Sequence, residues 1–321
     1  MLNLRSVDLN LLPVFEAAHD ELGQARACLR LAQDHQVNGR HAAAERLLTR
    51  TLAHAARADG EPERAAALGA IGVSLWRGPL PAADAVARCQ SLVAEHGPGR
   101  RTVRVTLNCP LAVLHALRED TAAARSALGE AEHHADQLGY AEARVFLPLF
   151  AAVVETLAGY PEQALTLLDG AARAGQRLGA HGLLSTINLD TARLLLDLGR
   201  TEAAAEVLAA ADPARPRPNA ESAELAGLRA RVAGAAGDTD NALRLARLAL
   251  HEAARTDSLI VQATAELDHA HTLLLLGRPA EAAAAAARER FAAKGHLPGL
   301  RWAQQLATGA SAAQKKGTAT P

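Results

Sequence analysis

Seven times along this chain an apolar helix end is followed by a turn and then by a new Ala-rich stretch. Five of the segments are NGRHAAAERLL from Asn38, AGYPEQALTLL from Ala158, LGRTEAAAEVL from Leu198, AGDTDNALRLA from Ala236 and LGRPAEAAAAA from Leu276. Two are less regular: RGPLPAADAV turns at Gly78, and LREDTAAARSAL has Glu119 where the others have Gly. The turn positions are 39, 78, 119, 159, 199, 237 and 277, so the spacing stays between 38 and 41 residues. A period of that length restricts the chain to stacked copies of one supersecondary unit, because each unit alone cannot bury its apolar face. Gly suits the residue after a helix end, where left-handed backbone is needed. Pro161 and Pro279 stand two residues later, where a helix begins and a missing N–H is harmless.

Packing supplies a second test. Helices joined by a tight turn approach closely only if small residues face each other. Five residues after each turn stand Ala44, Ala83, Ala124, Ala164, Ala204, Ala242 and Ala282. Seven residues before it stand Ala32, Ile71, Ala112, Ala152, Ala192, Ala230 and Ala270. Ala is common here, at 77 of 321 residues, but that frequency does not produce thirteen Ala in fourteen positions. Ala is also the strongest helix former, and no stretch alternates at period two as a strand would. The spacing predicts helices of about four turns, such as 141–158 paired with 162–178 and 181–198 paired with 201–211.

These small positions match the tetratricopeptide repeat, which has small residues in its first helix and early in its second. The match departs in two respects: the period is near 40 rather than 34, and the consensus aromatic residues of the first helix are mostly Leu and Ala. The resemblance implies an all-α fold, an α-solenoid of about seven TPR-like helix hairpins over residues 1–307. The Pro-rich DPARPRPN at 212–219 reads as a possible joint, and 308–321 as a disordered tail. From Phe15 to Ala307 the chain resembles the C-terminal repeat region of bacterial multidomain signalling AAA-type ATPases, adenylate/guanylate cyclase-linked regulators and LuxR/MalT-like regulators. The phrases that carry this are DELGQARACLRLA, LGAIGVSLWRGPLPAADAVARCQSLVAE, LAVLHALREDTAAARSALGEAE and LLLLGRPAEAAAAAARERFAAKGHLPGLRWAQQLA. The ATPase of such proteins needs a Lys directly after GxxxxG. The three Lys here, Lys294, Lys315 and Lys316, stand in AAKGH and AQKKG, so the resemblance implies a sensor arm without the motor. VDLNLLPVFEAA at 7–18 is similar to the opening helix of LysR-type regulators. The repeat begins where the remainder of a winged helix-turn-helix should follow, so this stretch reads as chance or as a fusion remnant, and no direct nucleic-acid binding is expected.

Charge and cysteine usage narrow the partners. Lys+Arg 34 against Asp+Glu 35 leaves a net charge of −1, which gives no global case for nucleic acid or an anionic membrane. Cys28, Cys89 and Cys109 are far apart and form no CxxC, which fits a reducing cytosol. The N-terminus has no signal-peptide core, and apolar runs such as 273–276 are too short to span a bilayer. A cytoplasmic protein is expected.

Catalytic and metal chemistry find little support. His133 and His134 are adjacent and His269 and His271 are two apart, so neither pair shares a helix face. Neither an HExxH nor a paired Cys accompanies them. No GxSxG occurs, Cys89 and Cys109 read as small buried hydrophobes, and Asp169, Asp190 and Asp197 read as carboxylates solvating helix faces. No cofactor, metal or catalytic residue is expected, and the chain reads as no enzyme. The concave face of such an array is lined by first helices. Six residues before the turns stand Gln33, Val113, Val153, Arg193, Arg231 and His271, with Phe146 close by. This column is apolar in the middle and basic toward the C-terminal end. It suits an extended or helical peptide with an acidic group; the alternative is that the valines are inter-repeat core and the arginines solvated. Function then reads as a protein-interaction or regulatory scaffold with a protein or peptide partner. The alternatives are a small-molecule sensor using the apolar centre of the groove, or a truncated remnant of a larger regulator.

Overall fold

The computed structural model describes residues 11–210 and 218–317, and the described chain is helical, without strands. Its first half holds α1 (Leu12–Ala17), α2 (Glu21–Val37), α3 (His41–Arg57), α4 (Glu61–Arg77), α5 (Ala82–His96), α6 (Arg101–Leu117), α7 (Thr121–Leu138) and α8 (Ala143–Ala158). Its second half holds α9 (Pro161–Leu178), α10 (His181–Asp197), α11 (Thr201–Ala209), α12 (Asn219–Ala235), α13 (Thr239–Ala254), α14 (Leu259–Leu275), α15 (Glu281–Lys294) and α16 (Leu297–Gly317). Neighbours in sequence pack as neighbours in space, as a helical repeat requires. Helices α8 to α11 fall within two residues of the ranges the spacing predicts.

The turns obey the left-handed rule with one exception. Gly39, Glu119, Gly159, Gly199, Gly237 and Gly277 have φ between 65° and 88°. Glu119 adopts this conformation despite its side chain, in a position Gly would occupy with less strain. Gly78 is extended instead, with φ −78° and ψ −175°. Its lack of a Cβ serves close approach: an added methyl would lie 2.5 Å from the Ser74 carbonyl oxygen and 2.9 Å from the His41 Cβ.

The small column before the turns is buried throughout, from Ala32 to Ala270. The column after them is buried at Ala44, Ala124, Ala164, Ala204 and Ala242, whereas Ala83 and Ala282 are exposed. The reason is turn length. Most second helices begin two residues after the turn position, but α5 and α15 begin four residues after it, beyond Pro81 and Pro279. The fourth helical residue moves accordingly, and Ala85 and Ala284 fill the buried place. The Ala-rich sequence supplies a small residue in either register.

One boundary differs from expectation. Helix α16 extends through Gly317, so the segment read as a tail from 308 begins inside a helix; its Ala and Gln content favours one. Most of the joint read at 212–219 lies outside the described residues. Among the described residues, no helix is long and apolar enough to cross a membrane.

The chain also returns on itself. The Lys294 ammonium, at the end of α15, donates to the carbonyl oxygens of Leu75 (2.9 Å), Gly78 (2.8 Å) and Leu80 (2.7 Å). The Asp257 carboxylate, before α14, accepts from the His41 and Ala42 N–H groups at 2.9 Å each. It thereby caps α3 from 215 or more residues away, a favourable place for a negative charge. Ser258 Oγ donates to the Arg77 carbonyl at 2.6 Å, and Arg301 pairs with Glu119. Ile260 and Trp302 pack against the core of the first four helix pairs. The last helices are thus fastened to the first.

Candidate functional site

Two adjoining half-open cavities lie on the inner side. The smaller, about 140 Å³, lies among α4, α8, α9, α10, α12 and α14. Trp76, Val153, Leu157, Leu194 and Ile260 provide apolar wall, and Arg77, Asp190, Arg193 and Glu224 provide charge. The larger, about 500 Å³, continues toward α16, past Asp197, Arg231, Leu267, His271 and Trp302. Thr156, Arg193 and Thr264 border both. The two tryptophans of the chain therefore stand one in each cavity.

Between the cavities lies a buried ion network centred on Asp268, which is 1% exposed. Arg193 straddles its carboxylate, with Nη1 2.9 Å from Oδ1 and Nη2 3.1 Å from Oδ2. Arg231 reaches the same Oδ1 at 3.3 Å and Asp197 at 2.7 Å. Burial alone would raise the Asp268 pKa, but the two guanidiniums outweigh it and hold the carboxyl below its ordinary value. Gly227 makes the space: a Cβ there would lie 2.7 Å from Asp268 Oδ2. The arrangement ties α10, α12 and α14 together through charge-assisted hydrogen bonds.

This placement divides the seven residues of the predicted groove. Val153 lines the smaller cavity, Arg193 both, and Arg231 and His271 the larger. Val113 is fully buried among the first helices and faces no groove. Phe146 packs edge-on to Tyr140 at 5.6 Å, and Gln33 is exposed; neither lines either of these two cavities. Nor do the arginines stand solvated or free, since both are tied to carboxylates. Charge reversal at Arg193 or Arg231 would set a carboxylate against Asp268, and so would report on folding before it reported on a ligand.

Sequence reasoning took Asp190 for a carboxylate solvating a helix face and gave no site role to Glu224 or Trp76, yet all three line the smaller cavity. A signal did exist for the first. Asp190, Arg193 and Asp197 follow at i, i+3 and i+7 on α10, one face of a helix, and that face is the inward one.

Reactive groups elsewhere are held inert. Burial pushes the Cys89 thiol up to about 12 and raises Cys109 too, so neither is a thiolate at neutral pH. Among the described residues no three His, Cys, Asp or Glu side chains gather as a metal site.

Three histidines are held neutral. Burial, aided by Arg77, takes His41 down to about 4; burial, aided by Arg231, does the same to His271. Burial takes His296 to about 3, and its Nδ1 accepts the Gly299 N–H at 2.9 Å. In the unfolded chain each takes up a proton near 6.5, so below that pH the unfolded state binds more protons and stability falls. Asp190 opposes this, because burial raises it to about 7 and keeps it protonated as pH drops. Three histidines against one aspartate leave a net loss, on the order of 5 kcal/mol between pH 6.5 and pH 4. Urea midpoints measured across that range should fall steadily; a flat profile would refute the neutral assignments.

No protein-family model matches the chain, and no curated protein is significantly similar to it.

Proposed function

We propose that this chain is a regulatory array of seven TPR-like hairpins that takes a small molecule inside its closed interior and passes the occupancy on to a partner protein. The observation that carries the reading is the closure itself. Last helices fastened to first by Lys294, Asp257 and Ser258 narrow an open groove into half-open cavities, and clefts with apolar walls and a few polar groups suit small ligands. The groove reading, with Arg193 and Arg231 awaiting a peptide carboxylate, is weakened because Asp268 and Asp197 already occupy both. A ligand that contacts α4 and α14 together stabilises the closed arrangement over an opened one. That differential affinity is what a population shift needs. We place the protein in the cytoplasm, with a binding rather than a catalytic role.

Native mass spectrometry of protein purified gently from its own host tests this. A bound mass of small-molecule size, lost on denaturation and absent from a Val153→Trp variant with its cavity filled, is expected. A stoichiometric protein mass with an empty interior would restore the scaffold reading, and a bare chain would remove the ligand.

A further inference from the structure

The inner charges do not balance. Asp268 and Asp197 between them hold Arg193 and Arg231. Glu224 lies 3.6 Å from Arg77, whose guanidinium also covers the Trp76 ring at 4.6 Å. That uses all three arginines that border the cavities. Asp190, on the wall of the smaller cavity, makes no hydrogen bond or ion pair among the described residues. Asp190 is half-buried and its carboxylate opens on the cavity unpaired, so a cation bound there would make a charge-assisted pair that no arginine already claims.

We propose that the smaller cavity binds a small organic cation, a primary ammonium on a compact apolar body. The ammonium sits on Asp190 beside Glu224, and the apolar body lies against Trp76, Val153, Leu157 and Ile260. This rests on the reading of the cavity as the ligand site.

Size and charge both bear on the choice. The volume is about 140 Å³, and a dry cavity of roughly 150 Å³ accommodates benzene, so a six-carbon ring fits. An anion would meet Asp190 and Glu224, while the guanidiniums it needs are already engaged. A metal ion would find two carboxylates and apolar wall, without the set of oxygen donors it requires.

A proton and an ammonium compete for the Asp190 carboxylate. Burial, with Glu224 adding to it and Arg77 and Arg193 opposing, raises Asp190 to about 7. A bound ammonium favours the ionised carboxylate, so binding releases that proton to solvent. Arg77 from α4, Arg193 from α10, and Glu224 from α12 are the charged groups facing Asp190. Affinity should therefore fall with each pH unit below about 7, approaching tenfold per unit.

The test uses the full chain carrying Trp302→Phe, which leaves Trp76 as the sole indole, and three matched probes: cyclohexylammonium, cyclohexanol and cyclohexanecarboxylate. Trp76 emission should titrate with the ammonium at a Kd about tenfold or more below that of the alcohol, with the carboxylate weakest. Asp190→Asn should abolish the preference and leave the alcohol unchanged. Should that variant fail to fold, calorimetry of the Asp190 protein near pH 6 in buffers of different ionisation enthalpy decides. Close to one proton released per ammonium bound, and none per alcohol, supports the proposal; no release overturns it. If the alcohol or the carboxylate binds as well as the ammonium, this inference fails while the cavity remains a ligand site. If none of the three binds, both readings fail.

Discussion

Asp268→Asn is expected to lower the stability of this protein by about 3–5 kcal/mol, the cost of removing one partner from a buried ion network. The substitution keeps shape and volume and deletes only charge. It leaves Arg193 with neutral acceptors and takes from Arg231, 5% exposed, one of its two carboxylates. The guanidiniums cannot shed their protons, so the unfavourable charge stays. Because a domain's whole stability is about 5–15 kcal/mol, the variant should lie near the edge of folding, with a much lower urea midpoint. Arg193→Met in the same molecule should recover part of the loss by removing the stranded charge, and a double-mutant cycle measures the coupling. A loss below about 1 kcal/mol for Asp268→Asn would mean the network is held loosely, as an exposed ion pair is.

Lys294→Met should produce the second large effect and should alter shape as well as stability. The side chain is fully buried, and its ammonium matches three N–H donors to three carbonyls, Leu75 in the last turn of α4 and Gly78 and Leu80 in the turn that follows. Methionine keeps the stem and supplies no donor. If closure persists, three buried carbonyls lose their partner, at about 3 kcal/mol or more in total. If closure gives way, those carbonyls reach water, the cost is smaller, and the last helices separate from the first. Hydrogen exchange at residues 41 and 42, whose N–H groups Asp257 caps across the same seam, distinguishes the two. Fast exchange with modest destabilisation means opening. Unchanged exchange and unchanged stability together would show that Lys294 does not fasten the closure. Arginine should not substitute, because a planar fork does not match three carbonyls gathered around one point.

Much of the local architecture was legible. Turn positions near every fortieth residue, left-handed backbone at most of them, and helix ranges such as α9 and α10 follow from where Gly and Pro interrupt Ala-rich apolar runs. Legibility ended where turn length changed. At 78 and 277 the extra residues moved the buried Ala by two places, and only the position of the following helix reveals that.

The inner site was partly legible, for a related reason. A fixed offset from each turn picked out Val153, Arg193, Arg231 and His271, which do line the cavities. The same rule picked out Val113, because one column of a repeat faces the interior at one place and packs into neighbouring helices at another. It passed over Glu224 and Trp76, which reach the cavity from other offsets.

The sequence by itself determined the repeating helix pairs, because propensity, turn chemistry and apolar spacing act within some forty residues. The tertiary structure alone decided that Lys294 reaches the α4–α5 turn, that Asp257 caps α3 and that Asp268 gathers two arginines from other helices. Those contacts join residues 37 to 219 positions apart. The longest of them exist only once the last helices lie against the first, and no local pattern carries that arrangement.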